Sequence, residues 1–433
     1  MPSTLLHGRF LTFNDRPEAI DDTASYRYEN DGGIWVEDGL IRQAGTWDAV
    51  RAAAPSDAIE IDHRPHLIMP GFVDPHIHFP QMQVIGSYAA NLLEWLNTYT
   101  FVEEQRFADP DHAARVATHF FDELIRHGTT TAAAYCSVHK ASADAFFAEA
   151  TLRNLRMVAG KVMMDRNAPG PLTDTPQAAY DDTKAVIADW HGTGRNHVAI
   201  TPRFAITSSP AELELAGALT AEHPELHVQT HLAENHGEIA FTRELYPEAI
   251  DYTDVYARSG LLGPKSLLGH CIHLSDREAG VLAESGSVAV FCPTSNLFLG
   301  SGLFDNARLA GHGVRTAIAT DVGGGTNYSM LRTLDEGYKV LQLQGQRMTP
   351  LDAFYRITLG NARALSLAEH IGTLEPGSDA DLVVLDASAM PAMAIKAERV
   401  ETLVEELFLL QTLGDDRAIA EVYVAGEAVK SGL

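Results

Sequence analysis

The chain is short of cysteine, of positive charge and of long apolar runs, and each shortage removes a class of protein. Only Cys136, Cys271 and Cys292 occur among 433 residues. They are too few for a disulfide framework and too far apart for a Cys-x-x-Cys metal or redox motif, so a reducing cytoplasm is expected. Lys and Arg total 32 against 58 Asp and Glu, a formal net charge of −26. Such a surface repels phosphate backbones and anionic headgroups, which speaks against nucleic-acid and membrane partners and favours a small neutral or cationic ligand. No apolar stretch approaches the ~20 residues of a membrane-spanning helix, and the N-terminus lacks the basic and apolar regions of a secretory signal. A soluble, cytoplasmic protein is the expectation. Gly323, Gly324 and Gly325 lack the G-x-G-x-x-G spacing, and read as a tight loop rather than a phosphate cradle.

What the chain does have is enough apolar material for a large core: hydrophobic residues make up 45% and charged residues 21%, which excludes disorder as the main theme. Residues 1–69 carry short β-prone pieces between turns, such as Ile34-Trp35-Val36 and Leu40-Ile41. From residue 70 to 370, apolar β runs alternate with amphipathic helices. Strands are expected at 129–137, 157–165, 198–205, 227–234, 266–273, 288–295 and 316–323, with helices at 113–126, 143–155, 176–190 and 211–221. With an opening strand near residue 72 the count is eight βα units, which predicts an α/β fold, a (β/α)8 TIM-like barrel. Residues 371–433 return to strands, including 380–386 and a hairpin across Ala425-Gly426. Both terminal segments are therefore expected to join in one small discontinuous β-sandwich domain.

In a parallel barrel the functional groups stand at the carboxyl ends of the strands. Here the first strand ends in His76 and His78, the fifth in His231 followed by Glu234, the sixth in His270 and the eighth in Asp321. His76 and His78, two apart on a strand, project to one face. Alone, each of these is an ordinary turn or capping residue. Together, imidazoles and a carboxylate around one point suit zinc, iron or another first-row metal.

This set resembles the amidohydrolase superfamily in its single-metal subtype, and within it the guanine deaminases. The likeness is carried by Gly-Phe-Val-Asp-Pro-His-Ile-His with Gln81 three residues on, Leu-Leu-Glu-Trp-Leu-Asn-Thr-Tyr-Thr-Phe (92–101), His-Gly-Thr-Thr-Thr (127–131) and Thr-Pro-Arg-Phe (201–204). Further on come His231-Leu-Ala-Glu234-Asn, Gly269-His270, Cys292-Pro-Thr-Ser-Asn and Thr320-Asp321-Val-Gly-Gly-Gly with Tyr328-Ser-Met. The fourth strand supplies no bridging lysine, and Lys161 reads as structural or solvent-reaching. The resemblance implies one zinc ion per chain on His76, His78, His231 and Asp321. It implies hydrolytic deamination of guanine to xanthine and ammonia, with Glu234, His270 and Asp321 catalytic. The purine would contact Gln81, Arg203, Phe204, His231 and Glu234, the helix bearing Trp95 and Tyr99 would cover the pocket, and the protein would be a homodimer. Two rival readings stand beside it: deamination of another cyclic amidine such as 8-oxoguanine, cytosine, a pterin or a triazine, and a catalytically silent barrel kept for binding. His236-Gly-Glu238 matches the His-x-Glu of another deaminase architecture, but no Pro-Cys-x-x-Cys follows, so it reads as a helix start.

Overall fold

A computed structural model describes residues 3–89 and 91–433. Four strands open the chain: β1 (Thr4–Phe13), β2 (Tyr26–Glu37), β3 (Leu40–Thr46) and β4 (Ile59–Pro70). Gly71 alone separates β4 from β5 (Phe72–His78), and a side chain there would collide with Thr130, its Cβ 2.1 Å from the hydroxyl oxygen. The βα alternation then runs through β6 (Thr129–Tyr135), β7 (Arg156–Gly160), its short continuation β8 (Val162–Met163), β9 (His197–Pro202), β10 (His227–Leu232), β11 (Ser266–His270), β12 (Val288–Phe291) and β13 (Arg315–Ile318). All of these pair in parallel, in the order β13-β12-β11-β10-β9-β7-β6-β5 with β8 on β9. The seam between β13 and β5 is closed by the segment after β13. Asp321 N–H donates to His76 O (2.9 Å) and His78 N–H to Val322 O (2.6 Å). The expected eight-stave barrel is therefore present.

The helices start where the sequence marks them. Asp109, Thr175, Ser209 and Thr349 each precede a proline, and each side chain accepts a backbone N–H of the first turn. A capping oxygen satisfies an orphan donor, while proline at the first position gives up an N–H that had no partner. The helix Pro110–Arg126 turns Phe120 and Phe121 inward against Phe146 of the helix Lys140–Leu152. Burying each ring stabilises the packing by about 1.5–3 kcal/mol. Inside the barrel the filling is compact: Val73, Ala133, Val158, Ala199, Leu267 and Val290 form one buried cluster beneath the strand ends.

After the barrel, β14 (Leu382–Leu385), β15 (Ile419–Val424) and β16 (Glu427–Ala428) return to the opening strands. One mixed seven-stranded sheet results, ordered β16-β15-β14-β4-β1-β2-β3. It curls until its far edge meets the approach to β14: Ile41 N–H donates to Ser378 O (2.9 Å) and Gly377 N–H to Ile41 O (2.8 Å). Leu6, Ile34, Val36, Ile68, Leu382 and Val384 are enclosed between the facing layers. Alternate residues Leu11, Phe13, Leu67, Met69, Val383 and Leu385 join the main core instead, the period of two expected of strands buried on both faces. The Ala425-Gly426 hairpin forms with Val424 opposite Glu427, and both turn residues have positive φ. Among the described residues no helix is long and apolar enough to cross a membrane.

Candidate active site

The strand ends converge. His76 Nε2 and His78 Nε2 each lie 3.3 Å from Asp321 Oδ1, and His78 Nε2 is 3.1 Å from His231 Nε2. His270 joins them with Nε2 3.8 Å from Asp321 Oδ2. One ligand atom each of His76, His231, His270 and Asp321 lies within 4.8 Å of every other. All four residues expected to hold a metal are thus in one place, and His270 is with them. The sequence places Asp321 on a strand reaching 323, but β13 stops at Ile318 and Asp321 sits in the seam loop with φ 51°. The glycines behind it make that loop tight: Gly325 N–H donates back to Asp321 O, and a Cβ on Gly325 would lie 1.8 Å from Thr320 O.

The donor chemistry fits a cation. His231 Nδ1–H donates to Arg203 O at 2.7 Å, which leaves its Nε2 lone pair directed at the cluster, 3.1 Å from His78 Nε2. His76 is fully buried and neither ring nitrogen has a hydrogen-bond partner. Burial also pushes the basicity of His78 and His231 down, keeping them neutral. For Asp321 burial pushes upward but is outweighed by His76 and His78, which hold it well below the usual carboxylate range. An imidazole lone pair, a buried ring with no partner and a carboxylate gathered at one point are the donor set a cation takes.

Around this cluster three further groups are oriented. His270 Nδ1 accepts from Asn296 Nδ2 at 2.9 Å, which places its proton on Nε2, 3.3 Å from Glu234 Oε2. A protonated ring nitrogen is a donor rather than a ligand. Glu234 is buried, and its Oε1 accepts from Ser301 Oγ at 2.7 Å. Burial, then the charges of Asp321 and Glu238, raise its pKa well above the usual carboxylate range. It does not cap the helix that follows. Asn235 does, in a reciprocal box with Glu238, which also accounts for His236-Gly-Glu238 as a helix start. Asp74, a residue given no task by the sequence, ties strand one to the seam. It accepts from the backbone N–H of His76 (3.3 Å) and of Thr320 (3.2 Å) and from the Thr320 hydroxyl, and burial raises its pKa to about 6.

Gln81, Arg203 and Phe204 line the cavity at the cluster, together with Trp95 and Leu299. The expected cover is there: Leu92, Trp95 and Leu96 close the cavity from a run of one α-helical turn, a π-helical turn at Leu96–Thr100 and a further turn at Phe101–Glu104. Lys161 is elsewhere, buried against Asp174 with Nζ 2.5 Å from its Oδ2, so it is structural and does not reach solvent. Sequence reading also passed over Glu104, which is buried and bonded to both Arg203 and Gln81. No local pattern marks it, since its partners are far away in the chain. Asn296 stood in the quoted Cys-Pro-Thr-Ser-Asn segment without a role.

The amidohydrolase family profile matches residues 67–429. Guanine deaminase of Escherichia coli (strain K12) is 45% identical over 415 residues, which cover 96% of this chain and 94% of that protein. The solved structure of the E. coli guanine deaminase superposes with a TM-score of 0.96 at 43% identity, covering 98% of this chain and 99% of the other. A guanine deaminase from C. acetobutylicum, solved with guanine bound in its active site, superposes at TM-score 0.88 and 28% identity, covering 99% and 100%. With the barrel, its strand-end cluster and this similarity along nearly the whole length, the chain belongs to the amidohydrolase family and is a hydrolase.

Proposed function

We propose that the chain hydrolyses guanine to xanthine and ammonia in purine breakdown or salvage, with one divalent cation, zinc, per protomer. The observation that carries this reading is one cavity whose lining brings Arg203 and Gln81 together with Glu234 and the His/Asp cluster. A flat ring bearing a carbonyl at one edge and an amidine at the other needs that combination of donors and proton relay. The relatives named above, one of them solved with guanine bound, support it.

His76, His78, His231 and Asp321 would hold the ion, which when bound supplies Lewis-acid activation of water. His270, donating from Nε2, orients the attack on C2. Asp321, kept as a carboxylate, takes the proton of the attacking water. Glu234, as the acid, delivers its proton to N3 as electron density arrives there, regains the proton held by Asp321 and passes it to the amine so that it leaves as ammonia, and recovers the C2 hydroxyl proton as the carbonyl forms. Arg203 and Gln81 donate to the carbonyl oxygen, Phe204 walls one face of the ring, and His231 and Glu234 complete the contact. In this division residues 70–370 form the catalytic unit, and residues 1–69 and 371–433 form the sheet that braces it. The proposal places the enzyme in the cytoplasm as a homodimer.

Initial rates on guanine, 8-oxoguanine, cytosine, a pterin and a triazine, with metal analysis of the same sample, test the reading. Guanine is expected to lead, at about one zinc per chain. Preferential turnover of another amidine would overturn the substrate, and two tightly held ions in the active enzyme would overturn the single-metal site.

A further inference from the structure

Behind the two donors stands a carboxylate that the reaction above leaves without a task. Glu104 ends the turn Phe101–Glu104 and is 1% exposed. It divides its oxygens between the donors: Oε2 accepts from Arg203 Nη1 at 2.5 Å and Oε1 from Gln81 Nε2 at 2.9 Å. The other end of the Gln81 amide is fixed as well, its Oε1 accepting from Gly323 N–H at 3.1 Å. Arg203 is held from a second side by Phe101, with Cζ 5.3 Å from the ring centroid. Both Glu104 and Phe101 belong to the cover over the cavity, whereas Arg203 follows β9 and Gln81 follows β5. Arg203 and Gln81 line the cavity and Glu104 does not.

We infer that Glu104 is a positioning and specificity residue of the deaminase proposed above: it locks the two donors in one orientation and cancels the guanidinium charge, so that the cavity takes a neutral purine and rejects a purine anion. The first part follows from geometry. An amide bonded at both ends cannot turn over, so Gln81 offers the cavity only its remaining N–H. The second follows from electrostatics. A buried guanidinium with no counter-charge attracts an anion strongly in a water-poor cavity, and a carboxylate bonded to it removes most of that attraction. The inference rests on the guanine reading, because the donors it positions are those assigned to the purine carbonyl.

The test uses Glu104→Gln, Glu104→Asp, Arg203→Met and the double variant Glu104→Gln/Arg203→Met, with guanine as substrate and urate, a purine monoanion at neutral pH, as inhibitor. In Glu104→Gln the KM for guanine should rise about tenfold while kcat stays within about threefold and metal content is unchanged. Urate should inhibit that variant about tenfold more tightly than the wild type, because the Arg203 charge is then unopposed. In the Arg203→Met background, adding Glu104→Gln should change urate inhibition by less than about twofold, while KM for guanine still rises through the loosened Gln81. Glu104→Asp keeps the charge but cannot span both donors. It should therefore raise KM and leave urate inhibition weak, and it carries the test alone if the glutamine variant does not fold. Unchanged KM and urate inhibition, or an equal effect of Glu104→Gln on urate inhibition with and without Arg203, would overturn the inference. Wild-type protein that leaves guanine untouched would overturn the activity reading and this inference with it, whereas an active wild type with an unaltered variant overturns this inference alone.

Discussion

Glu234 is the residue whose setting says most about the chemistry. Its neighbours could have made it a ligand, a cap or an acid. Asn235 takes the cap, the ring nitrogens and Asp321 take the cluster, and burial with nearby negative charge raises its pKa, the direction an acid needs. Glu234→Gln preserves size and the bond from Ser301 but cannot pass a proton. The expected loss is ~10²–10⁴ in kcat, with metal content and guanine affinity retained. Turnover at the wild-type rate would return Glu234 to a structural part, and lost metal would make it a ligand. His270 shows the same division of labour. Asn296 fixes which of its nitrogens bears the proton, and so fixes Nε2, 3.3 Å from Glu234 Oε2, as a donor into the cluster.

At the scale of strands and loops, the barrel makes room for its cluster by leaving side chains out. Gly269 lies one residue before His270 on β11, and a Cβ there would sit 2.5 Å from His76 Cε1. His76 is fully buried and has nowhere to move. Gly269→Ala should therefore tilt the imidazole, drop bound metal well below one per chain and cost about 1–3 kcal/mol of stability, while circular dichroism stays that of the wild type. Full metal and full activity in that variant would show that the ring tolerates the methyl group. Much of this architecture was legible in the sequence, because both signals involved are local. A run of β-prone residues ending in histidine, and a capping residue before a proline, each declare themselves within a few positions. The expected strand ends at 137, 165, 205, 234, 273, 295 and 323 all lie past the observed ones. The chain keeps an apolar composition after it leaves the sheet, while Ala233, His270, Cys271 and Asp321 turn through positive φ to aim side chains at one point. Composition does not record that turn. Glu104, Asn296 and Ser301 were illegible for a different reason: the residues they bond lie 23 to 99 positions away, and only the closed barrel brings them together.

Across the whole molecule, buried histidines make stability depend on pH. His227, at the start of β10 and remote from the cluster, donates Nε2–H to Leu365 O at 2.7 Å, and burial lowers its pKa from 6.5 to about 4. Between those values the unfolded chain binds a proton that the folded chain refuses, so the contribution is complete above about 6.5 and lost as pH falls towards about 4. A gap of this size corresponds to ~3 kcal/mol. His227→Gln keeps a donor for Leu365 but has nothing to titrate. Its Tm should fall less than that of the wild type between pH 7 and pH 5, and parallel curves would sink the assignment. Loss of metal in acid is common to both proteins and drops out of the comparison. The sheet that braces the barrel has a consequence for synthesis. β4 is flanked by β1 on one side and β14 on the other, yet β14 leaves the ribosome only after the entire barrel has been made. At typical elongation rates the opening strands wait roughly 15–60 s for their partner. During that interval Leu67, Ile68 and Met69 present an unpaired edge, so a chain that stalls before Leu382 leaves the translation machinery with an open template for pairing with its neighbours on the same polysome.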